Sequence, residues 1–144
     1  MSGIWNWSAA GRVDEAPIRS AISAVLGRPV RGMAENPVDS AVLCDIYHVG
    51  GDFPTTIDLY LMGAVPDGTE SEHAAAVAVL LGASLLLPDE SLNPTRYVLA
   101  EPDGTVRVVH VDETDTDEGT ERRNVRPCTG SDPACAVAPE RNAA

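Results

Sequence analysis

The sequence predicts an α+β domain in which four to five antiparallel strands form a sheet and two helices pack on one of its faces. Two observations support this prediction. Apolar residues recur at helical spacing in two segments, and they alternate with polar residues in paired segments joined by tight turns. Tight turns join antiparallel neighbours, so the predicted order is α-β-β-α-(β)-β-β.

The first helix is expected to follow Asp14, a good N-cap residue, and to end at Gly27. Between these residues Ile18, Ala21 and Ile22 recur at the spacing of one helix face.

The first hairpin is expected to pair residues 40–49 with residues 55–62 around the turn VGGDFP. A four-residue loop sets Asp45 directly opposite Asp58. The apolar side chains of both strands then share one face. The other face carries Asp45, Tyr47, Asp58 and Tyr60.

The second half of the domain repeats this arrangement. Thr69 and Glu72 form a capping-box pair at the start of a helix that Gly82 ends. Residues 84–88 are expected to form a short buried strand, and residues 96–111 a hairpin that turns at 102–104.

Composition divides the chain into three parts. Residues 1–13 are expected to be a loose N-terminal segment, with Trp5 and Trp7 folding back onto the domain. Residues 14–111 form the single α+β domain. Residues 112–144 form an acidic tail without apolar periodicity, which predicts disorder.

The net charge of −12 is unevenly distributed. Neither lysine nor arginine occurs between Gly32 and Thr95, whereas ten acids do. These acids are Glu35, Asp39, Asp45, Asp52, Asp58, Asp67, Glu70, Glu72, Asp89 and Glu90. A surface of one sign argues against nucleic acids and anionic membranes as partners and favours a cationic partner.

The location of the protein is predicted from what the sequence lacks. It has no apolar run of membrane-spanning length and no signal-peptide pattern, so we expect a cytoplasmic protein. All ten basic residues are arginine, and alanine, valine, glycine and proline are abundant, which is typical of a GC-rich bacterial genome.

The facing aspartates Asp45 and Asp58 have three interpretations. The hairpin register can be shifted by two residues, which separates the charges on a solvated face. The face can be a recognition surface, with Tyr47 and Tyr60 as anchors and the aspartates accepting arginine or lysine. The pair can also be catalytic or metal-binding carboxylates, although an exposed sheet lacks the pocket that such chemistry needs.

Other chemical signals are weak. His48 and His110 have no matching nucleophile motif, and no phosphate-binding motif occurs. The spacing of Cys128 and Cys135 matches no common zinc pattern, so these residues are expected to be free thiols or a disulfide. We therefore predict no catalytic residue, no cofactor and no metal site.

The small size, the acidity and the hairpin AVLCDIYHVGGDFPTTIDLYLMG resemble the immunity proteins that neutralise bacterial polymorphic toxins. This resemblance covers about residues 38–112 and transfers no functional residue. It implies a non-enzymatic protein that masks a cationic toxin. A second resemblance is to small acidic secretion chaperones.

We therefore expect a protein-binding module for a cationic protein. The candidate docking residues are Asp45, Tyr47, Asp52, Asp58 and Tyr60. The alternative is a small enzyme or ligand-binding protein with a pocket between sheet and helices, lined by His48, Tyr97 or His110.

Overall fold

The computed structural model describes residues 3–33, 35, 41–63, 66–89, 96–130 and 135. Within these ranges the chain forms two helices and one mixed sheet of eight strands. The helices are α1 (Glu15–Leu26) and α2 (Glu70–Leu81). The strands are β1 (Gly3–Ala9), β2 (Val30–Gly32), β3 (Val42–His48), β4 (Thr55–Leu61), β5 (Leu85–Pro88), β6 (Arg96–Ala100), β7 (Val106–Thr116) and β8 (Gly119–Pro127).

The strand order across the sheet is β2-β3-β4-β1-β5-β6-β7-β8. The α+β class is confirmed, but three finer predictions are wrong: the number of strands, their purely antiparallel pairing and the element order, to which the structure adds β1, β2 and β8. The described sheet has eight strands and not four or five. It is also mixed, because β2 pairs with β3 in parallel. Residues 34 and 36–40, between β2 and β3, lie outside the described residues.

The N-terminal segment, to which the sequence analysis assigned no strand, contains the strand β1 near the middle of the sheet. β1 pairs with β4 along its whole length and with β5 at Ser8 and Ala9. Trp5 and Trp7 both face the helices, as a spacing of two residues in an extended strand requires. The N-terminus therefore joins the two halves of the sheet.

The acidic C-terminal segment was predicted to be disordered from residue 112 onward, and this is wrong for its first part. β7 continues to Thr116 and pairs with β8 as a long hairpin. Arginines of β8 neutralise acids of β7. Arg122 Nε lies 2.9 Å from Glu113, and Arg126 Nη1 lies 3.1 Å from Asp112. Residues 131–134 and 136–144 lie outside the described residues.

The local predictions are confirmed. Cys44 pairs with Leu59, and Asp45 pairs with Asp58, as a four-residue loop requires. Thr69 and Glu72 form both hydrogen bonds of a capping box. Asp14 occupies the N-cap of α1, although its side chain makes no capping hydrogen bond.

Both helices contribute to the main apolar core, so they cover the same face of the sheet. From α1, Ile18 and Ile22 are fully buried. From α2, Val77 is fully buried. The tryptophans hold α2 in place, since Trp7 Nε1 donates to Glu70 Oε2 at 2.8 Å and Trp5 stacks on His73.

A second, smaller apolar cluster lies on the opposite face of the sheet. Phe53, from the β3–β4 turn, packs there with four residues of β5, β6 and β7. The same turn meets β8, because Asp52 N donates to Arg122 O at 2.7 Å. Gly51 makes this approach possible. Its φ is +92°, and an added Cβ would lie 2.8 Å from the Arg122 carbonyl oxygen.

Replacing Trp7 with alanine tests the central role of β1. Trp7 is fully buried, stacks on Trp5 and donates to α2. We expect Trp7→Ala to lower the free energy of unfolding by about 3–5 kcal/mol, measured by urea denaturation. Ile4→Ala is the control, because Ile4 lies on the same strand and is 69% exposed. Its cost should be below about 1 kcal/mol. Equal costs for the two variants would contradict this role of β1.

The open sheet face, a candidate docking surface

Strands β1, β4 and β3 expose a row of side chains on the side away from the helices, and we call this surface the open face. It consists of Ile4, Asn6, Leu43, Asp45, Tyr47, Asp58 and Tyr60. Three cross-strand rungs organise it. The first rung joins Ile4, Tyr60 and Leu43, and the second joins Asn6, Asp58 and Asp45. The third rung joins Ser8, Thr56 and Tyr47, of which only Tyr47 is exposed.

Asp45 and Asp58 lie directly opposite each other in the middle rung. The interpretation with a register shifted by two residues is therefore wrong. Asp45 is exposed and Asp58 is half-buried. Asp58 accepts a hydrogen bond from Asn6 Nδ2 on the neighbouring strand. Among the described residues, no arginine forms an ion pair with either carboxylate.

The pKa of Asp58 lies above its ordinary value. Partial burial is the main cause, and the negative charge of Asp45 adds to it. The hydrogen bond from Asn6 acts in the opposite direction. The pKa of Tyr47 is also raised, by burial first and then by the charges of Asp58 and Asp45. The two facing carboxylates make the middle of the open face negative.

The β7–β8 hairpin bounds the open face beside its third rung. Arg122 of β8 donates to Ser8 Oγ at 3.0 Å and lies 5.3 Å from the centre of the Tyr97 ring. Its Nε lies 2.9 Å from Glu113. Tyr97 also donates to Glu113. The guanidinium group of Arg122 therefore interacts with Glu113 and Tyr97 and does not neutralise the aspartate rung.

Four of the five predicted docking residues come together on the open face: Asp45, Tyr47, Asp58 and Tyr60. Asp52 lies apart from them in the β3–β4 turn, where its carboxylate accepts a hydrogen bond from the Asn124 backbone at 3.0 Å. In the structure Asp52 fastens this turn to β8. A docking role for all five residues stays a prediction.

Three residues of the face were missed by the sequence reasoning. Ile4 and Asn6 were missed because residues 1–13 were expected to be loose. Leu43 was placed on this side of the strand but was not chosen as a contact. The alternation in GIWNWSA was the available signal, since it places Ile4, Asn6 and Ser8 opposite the two tryptophans.

The ligand-binding alternative requires a pocket between sheet and helices. The described part of the chain has several surface grooves. One, of about 620 Å³, lies between the start of α1 and the end of α2 and includes Pro17 and Leu81. Two others adjoin Trp5 and Val30. None of the three is lined by His48, Tyr97 or His110.

A separate cluster of metal-ligating groups lies at the far edge of the sheet. The ligand atoms of His110, Cys128 and Cys135 lie within 4.8 Å of one another. His110 Nε2 is 3.0 Å from Cys135 Sγ, and the two sulfurs are 3.8 Å apart. The spacing of the two cysteines in the sequence does not point to a histidine on β7, so His110 was not predicted as their partner.

Comparison with family models, curated proteins and solved structures finds no match for this chain. The resemblance to immunity proteins therefore stays a prediction. In the described ranges, neither helix has the length and apolar character needed to cross a membrane.

Removing the charge of Asp58 tests the cost of the aspartate rung. The folded pKa of Asp58 is raised, so protonation of Asp58 stabilises the folded state. This stabilisation is complete below the ordinary pKa of 3.8 and is lost as the pH rises through the raised folded value. At neutral pH we expect Asp58→Asn to increase the free energy of unfolding by about 0.2–1 kcal/mol, as relief of a facing like-charge pair does.

The measurement is urea denaturation at neutral pH and near pH 3.8, where the gain should shrink. Asp14→Asn is the matched control, because Asp14 is exposed, makes no capping hydrogen bond and lies on the helix side. Asparagine is an equally good N-cap residue, so Asp14→Asn should leave the free energy of unfolding almost unchanged. If Asp58→Asn lowered the free energy of unfolding at neutral pH, repulsion between Asp45 and Asp58 would not be what limits the stability of this rung.

Proposed function

We propose that this protein binds a cationic protein through its open face. The observation that carries the proposal is the rung of Asp45 and Asp58, two facing carboxylates that no described cation neutralises. A protein that exposes such a pair gains stability when a positive charge is placed between them. The rung is thus a preformed site for a basic side chain.

Arginine fits this rung better than lysine does. A guanidinium group is planar and presents five donors in a rigid fork, so it can bridge carboxylates on neighbouring strands. Asn6 supports the site from the other side by donating to Asp58. Lysine would contribute a point charge without this geometric match.

The rest of the open face supplies contact area. Tyr60 lies between the exposed Ile4 and the half-buried Leu43, and Tyr47 flanks the aspartates on the other side. Tyrosine gives a large contact surface at low entropic cost. The apolar and aromatic side chains would hold the complex, while the charges would accelerate encounter and select the partner.

Masking of a basic protein needs no catalytic group, so the proposed activity is steric and electrostatic blockade. In the setting that the sequence resemblance implies, the partner is a cationic toxin and this chain is its immunity protein. The high negative charge of the chain, −12, supports a basic partner of this kind.

The test compares capture by three forms of the full chain from lysate of the source cells. The forms are the wild type, Asp45→Asn/Asp58→Asn, and the matched control Asp14→Asn/Asp67→Asn. Both variants lose two charges, but Asp14 and Asp67 precede α1 and α2 on the helix side. We expect a basic protein that the wild type and the control retain and that the open-face variant loses.

The captured protein is then purified and its association rate measured against salt. A tenfold rise in ionic strength should slow association with the wild type strongly, and Tyr60→Ala should mainly speed dissociation. Retention of every specific partner by the open-face variant would refute the proposed site. A salt-independent association rate would refute the electrostatic mechanism.

A further inference from the structure

We propose that His110, Cys128 and Cys135 bind a zinc ion that fastens the C-terminal segment to the sheet. This site is independent of the open face and of the proposed partner. It consists of one imidazole nitrogen and two thiols, which are ligands that Zn²⁺ prefers.

Two of the three spacings between ligand atoms are close to those of a tetrahedral zinc site, and the third pair, His110 and Cys128, lies within 4.8 Å. With Zn–S bonds of about 2.3 Å, two thiolates on one zinc ion lie about 3.8 Å apart. The sulfurs of Cys128 and Cys135 are 3.8 Å apart. A tetrahedral site places sulfur and nitrogen about 3.5 Å apart, so His110 Nε2, at 3.0 Å from Cys135, needs to move only slightly.

The sheet positions two of the three ligands before zinc binds. His110 lies on β7, and the backbone N–H of Cys128 donates to Val108 O at 3.1 Å directly after β8. Residues 108 and 110 share one face of β7, so Cys128 and His110 are diagonal neighbours on that face. Cys135 then completes the set from the C-terminal segment.

Burial favours a metal ion at this site, and the neighbouring charges do not oppose it. His110 is fully buried, whereas both cysteines are half-buried, which leaves a path for entry from the cysteine side. Arg96 on β6 and Arg126 on β8 lie directly opposite His110 in the sheet. Zn²⁺ with two thiolates is a neutral unit, so these arginines do not oppose it.

Binding is a ligand exchange without oxidation. Zn²⁺ forms bonds to His110 Nε2 and to two sulfurs, and each thiol releases its proton to the solvent. Three protein ligands leave the fourth tetrahedral position for water or another donor. The competing chemistry is a disulfide between Cys128 and Cys135, which requires an oxidant and a sulfur separation of about 2.05 Å.

The test uses the full chain, reduced and freed of metal, with Zn²⁺ and Co²⁺ as the probes. We expect one zinc ion per chain by elemental analysis after dialysis. We also expect Co²⁺ to give the intense visible bands of a tetrahedral site together with thiolate charge-transfer absorption. Zinc should also raise the melting temperature, because it binds the folded chain.

Cys135→Ala is the decisive variant, because Cys135 lies outside the strands and its loss leaves the sheet intact. We expect it to weaken zinc binding at least about tenfold, the lower bound for loss of a supporting group at a zinc site. Cys128→Ala should do the same. Cys44→Ala is the matched control, because Cys44 is a buried cysteine on β3 outside the cluster, and its zinc affinity should equal that of the wild type.

Circular dichroism verifies that each variant is folded. Sub-stoichiometric zinc in the reduced wild type, or equal zinc affinity in wild type and Cys135→Ala, would overturn the proposal. A Cys128–Cys135 disulfide that forms in cells and persists in the purified chain, shown by the intact mass before reduction, would overturn it as well.

Discussion

The strand β1 is the constraint on which the rest of the structure depends. It joins β4 to β5 and thereby unites two parts of the chain that are otherwise bridged, among the described residues, by the isolated pairing of Gly51 with Arg122. Its two faces have opposite roles. Trp5 and Trp7 pack against α2. On the other face, Asn6 forms a hydrogen bond with Asp58, and Ser8 forms one with Arg122. One seven-residue segment thus fixes both the core and the proposed docking surface.

The β7–β8 hairpin shows how a highly acidic segment becomes ordered. Its acids would repel one another in isolation, but arginines 122 and 126 pair with Glu113 and Asp112 across the strands. Individual exposed pairs of this kind contribute little to stability. Arg122 is different because it is largely buried and also contacts Ser8 and Tyr97, so it links β8 to β1 and β6.

The distribution of arginine explains why the open face keeps its charge. The described arginines that form ion pairs lie on α1, on β6 and β7 and on β8, where each pairs with a nearby acid. The Asp45–Asp58 rung lies in the part of the chain without arginine or lysine, and none of the described arginines forms an ion pair with it. A negative surface of this kind favours solubility as well as binding, and only the comparison of matched charge variants separates the two roles.

The sequence alone determined what depends on local periodicity and turn chemistry. These features are both helices with their glycine ends, the hairpins around residues 50–53 and 102–104, and the register that sets Asp45 against Asp58. Only the tertiary structure decided which strands are neighbours when they are distant in the chain. β1 pairs with β4, which lies about fifty residues later in the chain. His110 on β7 contacts Cys135, which lies in the C-terminal segment. Periodicity within one segment carries no information about such partners, because pairing at long range is decided by the packing of the whole core.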